Sequence, residues 1–498
     1  MKQQIVFSFK QCMTEEDFIN STAKKHFGIP YVFPYQRLAI SNILDCAAAP
    51  EENNPAQIVI LPTGAGKSLC FMLPALVIDG ITLIIFPLLS LMADQQRRLE
   101  EAGISSLILR GGMSAEEKKS AFGKIENGEV KIVIANPEIL QTPGVLEKVK
   151  KGNIFHVVID EAHTVSQWGD SFREAYLGIG CIVKELSPRV TTAFTATASA
   201  RILSRFREII FSDTNPNIIR ADPDRPNIRY DVVRYLSKEA TLLEEAEKGE
   251  KPMIIFCSSR DGTEITARKL KQKMRGREIY FYHAGLSREE KKRTEELFFR
   301  SSDGILVATC AYGMGVDKSN IRTVIHADIP SSAEAYLQES GRGGRDRKQA
   351  YAVALVPWFS RRRKDNAPDP RQNELQEIFE GKVCRRKALL HILEAENQLC
   401  SGCDVCDKKE MLPAGFREIT ELIKRNSRRI TLHEACAILK GAGTPEDISG
   451  DFHRSGSWKA LSSWKEKEIR EAILMIADAG SIRIGKNLLF RKKLIFVR

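Results

Sequence analysis

No apolar run in the sequence is long enough to cross a bilayer. The most hydrophobic stretch, Ile81 to Ala93, is short and is interrupted by Pro87. Met1 to Lys10 lacks the charged-then-apolar order of a signal peptide. There is no short tandem repeat and no long low-complexity tract, which argues against a repeat array or a disordered chain. Acidic excess is also missing: 75 Lys and Arg against 64 Asp and Glu leave a formal net charge of +11. That balance suits a polyanionic partner, although charge alone selects none. The 11 cysteines do not form a disulfide framework. Only four sit close together, and Cys12, Cys46, Cys70, Cys181, Cys257, Cys310 and Cys436 are scattered among apolar neighbours, as free core thiols are. Such usage fits a reducing interior, so the expected location is the cytoplasm, in association with the nucleoid.

What is present is ordinary globular composition, 43 % hydrophobic and 28 % charged over 498 residues, enough for two to four domains. From about Pro55 to Thr197, short apolar runs alternate with helical stretches. Gln57–Leu61, Thr82–Phe86, Val130–Ala135, Val157–Asp160 and Thr191–Phe194 read as buried strands, and Leu91–Glu101 as an amphipathic helix between them. The rhythm resumes between Met253 and Leu355, with strands at Met253–Phe256, Glu278–Tyr282, Gly304–Ala308 and Thr323–Ile325. This pattern predicts βαβ units and two largely parallel sheets, joined near Ala221–Asn227. Ser360–Gln372, with its run of arginines and with Pro368 and Pro370, reads as a linker.

The first chemical signal is Leu61-Pro62-Thr63-Gly64-Ala65-Gly66-Lys67-Ser68, placed after a strand and opening an apolar helix. Glycines there let backbone N–H groups surround phosphate oxygens at a helix N-terminus. Lys67 is placed to reach the β and γ phosphates of ATP, and Ser68 to put its hydroxyl on Mg²⁺. The general phosphate-loop pattern has Gly where this chain has Leu61, and Gly64 supplies an equivalent turn. The second signal is Val157-Val158-Ile159-Asp160-Glu161-Ala162-His163, which sets two carboxylates at the end of an apolar strand. Ligands of parallel sheets gather at that edge. Asp160 can hold Mg²⁺ through its water shell, and Glu161 can orient or deprotonate the attacking water.

These residues and those around them resemble the RecQ helicases of superfamily 2. Asp160–His163 runs into Ser166-Gln167-Trp168-Gly169-Asp170-Ser171-Phe172-Arg173. Phe194–Ala198, Asp224-Arg225-Pro226-Asn227-Ile228 and Tyr282-His283-Ala284-Gly285-Leu286 follow in the family's order. So do Ala308–Lys318 and Gln338-Glu339-Ser340-Gly341-Arg342-Gly343-Gly344-Arg345-Asp346. The resemblance implies an α/β fold of two RecA-like parallel-sheet domains followed by a small zinc-binding helical subdomain and a winged-helix domain. Its expected spans are 1–220, 221–360, 373–410 and 411–498. It implies ATP contacts at Gln36, Thr63, Gly64, Ala65, Gly66, Gly315, Asp317 and Gln338. It implies an arginine finger at Arg345 with Arg342 beside it, and single-strand DNA contacts at Trp168, Phe172 and Arg173. One departure stands out. The family's adenine-reading motif has Arg three residues before its Gln, and here Phe33 precedes Gln36. Gln36 keeps the capacity to hydrogen-bond a base edge in both directions, and a nearby aromatic can stack on the base.

Cys384, Cys400, Cys403 and Cys406 follow the spacing C-x15-C-x2-C-x2-C. Four thiolates with tight turns between three of them suit a closed tetrahedral Zn²⁺ site, and the spacing is also compatible with an iron–sulfur cluster. The resemblance implies zinc. Beyond the cluster, Thr431 and Glu434 are spaced as a capping box, and a helix over about Lys465–Ala479 buries Ile469, Ile473 and Ile476 and stops at Gly480. Ser481–Ile484 and Leu488–Val497 read as a hairpin turning at Gly485-Lys486-Asn487. The resemblance implies duplex DNA binding here, with Lys486, Arg491, Lys492 and Lys493 on phosphates. The sequence ends at Arg498, so the helicase-and-RNase-D C-terminal domain of many relatives is expected to be absent. The expected activity is an ATP-dependent DNA helicase moving 3′ to 5′, in repair or recombination, acting as a monomer on single- and double-stranded DNA. A DNA-stimulated translocase that does not unwind and a non-catalytic DNA-binding scaffold remain as alternatives.

Overall fold

The computed structural model describes residues 15–48, 55–62, 64–87, 89–164, 174–212, 214–313, 318–359, 369–395, 399–408, 412–427, 429–442, 456–486 and 493–497. The chain divides into two compact units between Asp224 and Arg225, with Leu390–Asn397 counted in the first.

In the first unit the described residues form β1 (Ala56–Ile60), β2 (Ile81–Ile85), β3 (Ser106–Leu109), β4 (Ile132–Ala135), β5 (Ile154–Ile159), β6 (Val190–Thr195) and β7 (Asn217–Arg220). Their order across the sheet is β3-β4-β2-β5-β6-β1-β7, and every adjacent pair is parallel. Successive side chains enter opposite cores: Ile58, Leu83 and Val157 face one, and Val59, Ile84 and Val158 the other. Helices cover both faces, so the inner strands are mostly apolar and β1, β2 and β4 are buried throughout; the buried Gln57 of β1 is satisfied by donating to Thr192 Oγ1 of β6 at 3.1 Å. The edge strands β3 and β7 escape sequence reading for the same reason. β3 alternates half-buried and buried positions, and β7 is mostly open to solvent. Because β5, β6 and β1 are neighbours, the loops that leave their C-terminal ends converge at one sheet edge.

The second unit holds β8 (Ile228–Tyr235), β9 (Met253–Phe256), β10 (Ile279–Tyr282), β11 (Ile305–Ala308), β12 (Thr323–His326) and β13 (Ala350–Pro357). They form a second parallel sheet in the order β10-β11-β9-β12-β13-β8. Strands β8 and β13 are additions to the sequence reading; they pair over their full length, from Ala350 opposite Ile228 to Pro357 opposite Tyr235. Helices Pro370–Glu380, Arg385–Ile392, Phe416–Arg425, Leu432–Lys440 and Glu466–Asp478 follow. The first of these begins inside the expected linker, because the Asp369 side chain accepts from Arg371 N at 2.9 Å and caps it. The last three pack Ile419, Ile423, Ile438 and Ile473 together with Leu236, so this C-terminal region shares a core with the sheet that precedes it.

The chain closes on an antiparallel pair, β14 (Ile482–Lys486) and β15 (Lys493–Val497). Gly485 lies opposite Leu494 and Lys486 opposite Lys493, so these two residues belong to a strand and not to the expected turn. The scattered cysteines are less uniformly buried than expected: Cys70, Cys257 and Cys436 are in the core, whereas Cys181 and Cys310 are exposed. Cys12 lies outside the described residues. Among the described residues no helix is long and apolar enough to cross a membrane.

Candidate nucleotide site and cysteine cluster

The segment 61–68 leaves β1 and enters the helix Leu69–Val77. Gly64 and Gly66 hold φ of +84° and +74°, the left-handed region that glycine enters without strain. Glycine at 66 has a second cause. A Cβ there would stand 2.5 Å from Gln36 Nε2, so the loop and the Gln36 amide touch only because no side chain intervenes. Gln36 is almost wholly buried. Its Nε2 donates to Ala65 O at 2.9 Å and to Gly66 O at 3.2 Å, while its Oε1 accepts from Phe33 N at 2.9 Å. Both ends of the amide that the sequence offers to a base edge are therefore engaged by the chain itself. Phe33 stacks nearly parallel on Tyr35, with ring centroids 5.5 Å apart.

Lys67 faces the end of β5. Its ammonium is 2.7 Å from Glu161 Oε1 and 3.7 Å from Asp160 Oδ1. Asp160 Oδ1 also accepts from Glu161 N at 2.9 Å, and Glu161 sits at φ +47°, which turns the two carboxylates to one place. Burial pushes the Asp160 carboxyl up to about 6, against the opposing pull of Lys67. His163, buried, brings Nδ1 to 3.4 Å from Glu161 Oε2 and to 3.4 Å from Thr195 Oγ1, linking the acidic turn to the loop after β6. Thr195 Oγ1 in turn donates to Thr197 O at 2.8 Å. Ser68 Oγ lies 3.5 Å from Oε1 of the buried Gln95. Sequence reasoning gave no role to His163 or Gln95; their burial as polar side chains is the signal, and it appears only in three dimensions. Lys67, Asp160 and Glu161 are thus drawn together, with Ser68 next to Lys67 in the chain and turned to Gln95. Thr63, Gly315, Asp317, Trp168, Phe172, Arg173, Arg491 and Lys492 lie outside the described residues.

In the second unit, Gln338 lies on the helix Ala333–Ser340, and the turn after that helix carries Arg342 and Arg345. Arg342 is buried with its guanidinium 5.9 Å from the centre of the Tyr312 ring, and Arg345 is half-buried. The Asp224–Ile228 segment has a structural part that its sequence did not announce. Arg225 and Asn227 donate to the backbone of the arginine-bearing turn.

The four clustered cysteines meet. Their sulfurs all lie within 4.8 Å of one another, and Cys403 Sγ is 4.0 Å from Cys384 Sγ. One tetrahedral ion with metal–sulfur bonds near 2.3 Å places thiolates ~3.8 Å apart, so a single Zn²⁺ fits the set. A multi-iron cluster interposes several irons and sulfides and spreads its thiolates wider than this. Asp404, between two of the cysteines, receives Nη2 of the nearly buried Arg385 at 2.9 Å, which ties the cysteine turn to the helix Arg385–Ile392.

Comparisons with known proteins add to this geometry. Residues 33–206 match the DEAD/DEAH box helicase family and residues 234–347 the helicase conserved C-terminal domain. The ATP-dependent DNA helicase RecQ of Pasteurella multocida (strain Pm70) is 32 % identical over 466 residues, which cover 89 % of this chain and 72 % of that protein. The protein of the same name from Bacillus subtilis (strain 168) is 29 % identical over 446 residues, 86 % of this chain and 75 % of that one. Among solved structures, DEAD-box helicase Mss116 bound to ssRNA and UDP-BeF aligns with a TM-score of 0.59 at 18 % identity, covering 91 % of this chain and 88 % of that one. The DUF1998 helicase MrfA bound to DNA aligns with a TM-score of 0.57 at 20 % identity, covering 76 % and 56 %. At these identities the structural matches speak for the fold, two RecA-like α/β domains.

Proposed function

The chain belongs to the RecQ family of ATP-dependent DNA helicases, and from that premise we propose that it moves 3′ to 5′ along single-stranded DNA and separates the duplex ahead of it. The observation that carries the hydrolytic part is the Lys67 ammonium set 2.7 Å from Glu161 and 3.7 Å from Asp160 at the sheet edge. Phosphates of ATP would draw Lys67 from the carboxylates, and backbone N–H groups of 64–68 would surround the β-phosphate. Ser68 and Asp160 would hold Mg²⁺, which supplies charge neutralisation between the β and γ phosphates. Glu161, released from Lys67 and still beside His163, would orient the attacking water. Arg345 would meet the charge that develops on the γ-phosphate, and Arg342, packed on Tyr312, would stiffen its turn.

Trp168, Phe172 and Arg173 would contact the single strand, where a stacked base is worth about 1–3 kcal/mol. We read the three C-terminal helices and the antiparallel β14–β15 pair as a winged helix. In that role Lys486, Arg491, Lys492 and Lys493 would contact duplex phosphates, making binding salt-dependent. We assign Zn²⁺ to Cys384, Cys400, Cys403 and Cys406, in a closed site with no open coordination position. Work in repair or recombination, in the cytoplasm on the nucleoid, is part of the same proposal. Duplexes with 3′ or 5′ tails, of DNA or RNA, test it together with Lys67→Ala. ATP-dependent separation of 3′-tailed DNA, lost in Lys67→Ala, is the expected result. Separation from 5′ tails alone, or of RNA alone, would overturn the polarity or the substrate. Stimulated hydrolysis without strand separation would leave a translocase.

A further inference from the structure

Among the buried or half-buried arginines of the second unit that have no part in the proposed chemistry are Arg225 and Arg386. The Arg225 guanidinium donates to Gly341 O at 3.3 Å, Gly343 O at 3.2 Å and Gly344 O at 2.8 Å. These carbonyls end the helix Ala333–Ser340 and form the turn that leads to Arg345, a place where a cation is favoured by the exposed carbonyl ends of a helix. Asn227 Nδ2 reaches the same turn, donating to Gly344 O and Lys348 O at 2.8 Å each. Gly344 has φ +55°, and a Cβ there would meet Asn227 Nδ2 at 2.4 Å and Lys348 O at 2.5 Å, so the close approach needs glycine. The Arg225–Ile228 segment itself is pinned from its other side. Arg386, fully buried, donates to Arg225 O at 3.2 Å and to Ile228 O, with its guanidinium 5.1 Å from the Tyr230 ring centre. Ser401, beside Cys400, donates from Oγ to Pro226 O at 2.7 Å. Burial lowers the pKa of Arg225, and the positive charges of Arg345 and Arg347 add to that effect against Tyr230. Arg225 thus tolerates like charge nearby because three carbonyl dipoles receive it.

We propose that Arg225 is a positioning residue for Arg345: it fixes the Gly341–Arg345 turn through three carbonyls and so sets where the Arg345 guanidinium stands when ATP is hydrolysed. This rests on the reading of Arg345 as the arginine finger. In the full chain, Arg225→Gln is expected to lower the kcat of DNA-stimulated hydrolysis by about tenfold to a hundredfold, the scale of a small misplacement of a reacting group. KM for ATP and the affinity for a fluorescent ATP analogue should stay within about twofold, since an interaction used only in the transition state moves kcat alone. Arg225→Lys, which keeps the cation but reaches fewer carbonyls, should recover part of kcat. The deciding measurement is the double variant. In an Arg345→Ala background, Arg225→Gln should cost nothing further, because its effect passes through the residue already removed. Losses that multiply, or a kcat for Arg225→Gln near wild type, would overturn the proposal. If Arg225→Gln fails to fold, Asn227→Asp, acting on the same turn from the other side, gives the same comparison. A wild-type kcat for Arg345→Ala alone would show instead that the finger reading has failed, and the inference would fall with it.

Discussion

Asp160 holds its charge at a cost to the nucleotide-free protein. Its carboxyl is raised from the ordinary 3.8 to about 6, chiefly by burial. The folded chain therefore binds a proton between those values that the unfolded chain does not. The Asp160 contribution to stability is full below about 4 and is lost as pH rises through about 6. Asp160→Asn removes that loss, so the nucleotide-free variant should melt a few degrees above wild type at pH 8, with the gap closing by pH 4 to 5. Scanning calorimetry at the two ends of that range checks the sign, and a variant that melts lower at pH 8 refutes it. His156 shows the opposite case. Burial lowers it to about 3, and its Nε2 lies 2.9 Å from Thr192 Oγ1, so it stays neutral inside the sheet. As pH falls from 6.5 the unfolded state gains a proton that the folded state refuses, and His156 adds to acid sensitivity.

At the scale of elements, most inner strands and their loops were legible because burial on both faces favours apolar runs, although the inner strand β13 was missed. β9 falls where its residues predicted, and the 61–68 loop and the Asp160-Glu161 turn stand at strand ends as their spacing required. The helix at Leu432 starts where Thr431 and Glu434 cap it reciprocally, with Thr431 N donating to Glu434 Oε2 at 2.7 Å and Glu434 N to Thr431 Oγ1 at 3.2 Å. Edge strands β3, β7 and β8 were not legible, since one free edge relaxes the demand for apolar residues, whereas the edge strand β10 kept enough apolar and aromatic residues to be read. Nor was the engagement of Gln36, whose residue type fits a base edge and a backbone carbonyl equally well. The loop gives a direct check on that contact. Gly66→Ala must strain a left-handed position and push against Gln36 Nε2, and ATP-analogue affinity should fall about tenfold or more. Unchanged affinity would mean that the loop binds phosphate without its contact to Gln36.

Across the whole molecule, the second unit combines a parallel sheet, a cysteine cluster and a helical region through shared packing. Leu236 lies in the core of the C-terminal helices, and Glu239 receives both Lys269 at 2.5 Å and Lys465 at 2.8 Å. The cysteine turn grips β8 through an Arg229–Asp407 ion pair and a bond from Tyr230 N to Gly402 O at 3.4 Å. Metal removal by a chelator, or Cys403→Ser, should therefore lower the melting temperature of the second unit as a whole while ATP-analogue binding at the first persists. Release of one zinc ion per chain to a colorimetric dye should accompany it, and loss of metal without any thermal shift would count against a structural role. The Lys67–Glu161 contact has a different bearing at this scale. A loop ammonium paired with a carboxylate of its own unit is a closed circuit. A nucleotide phosphate reaching Lys67 would have to displace that internal competitor, and as product departed the competitor would take the ammonium back. A site of this kind trades one partner for another, so the charge on Lys67 would be met at every stage of a cycle.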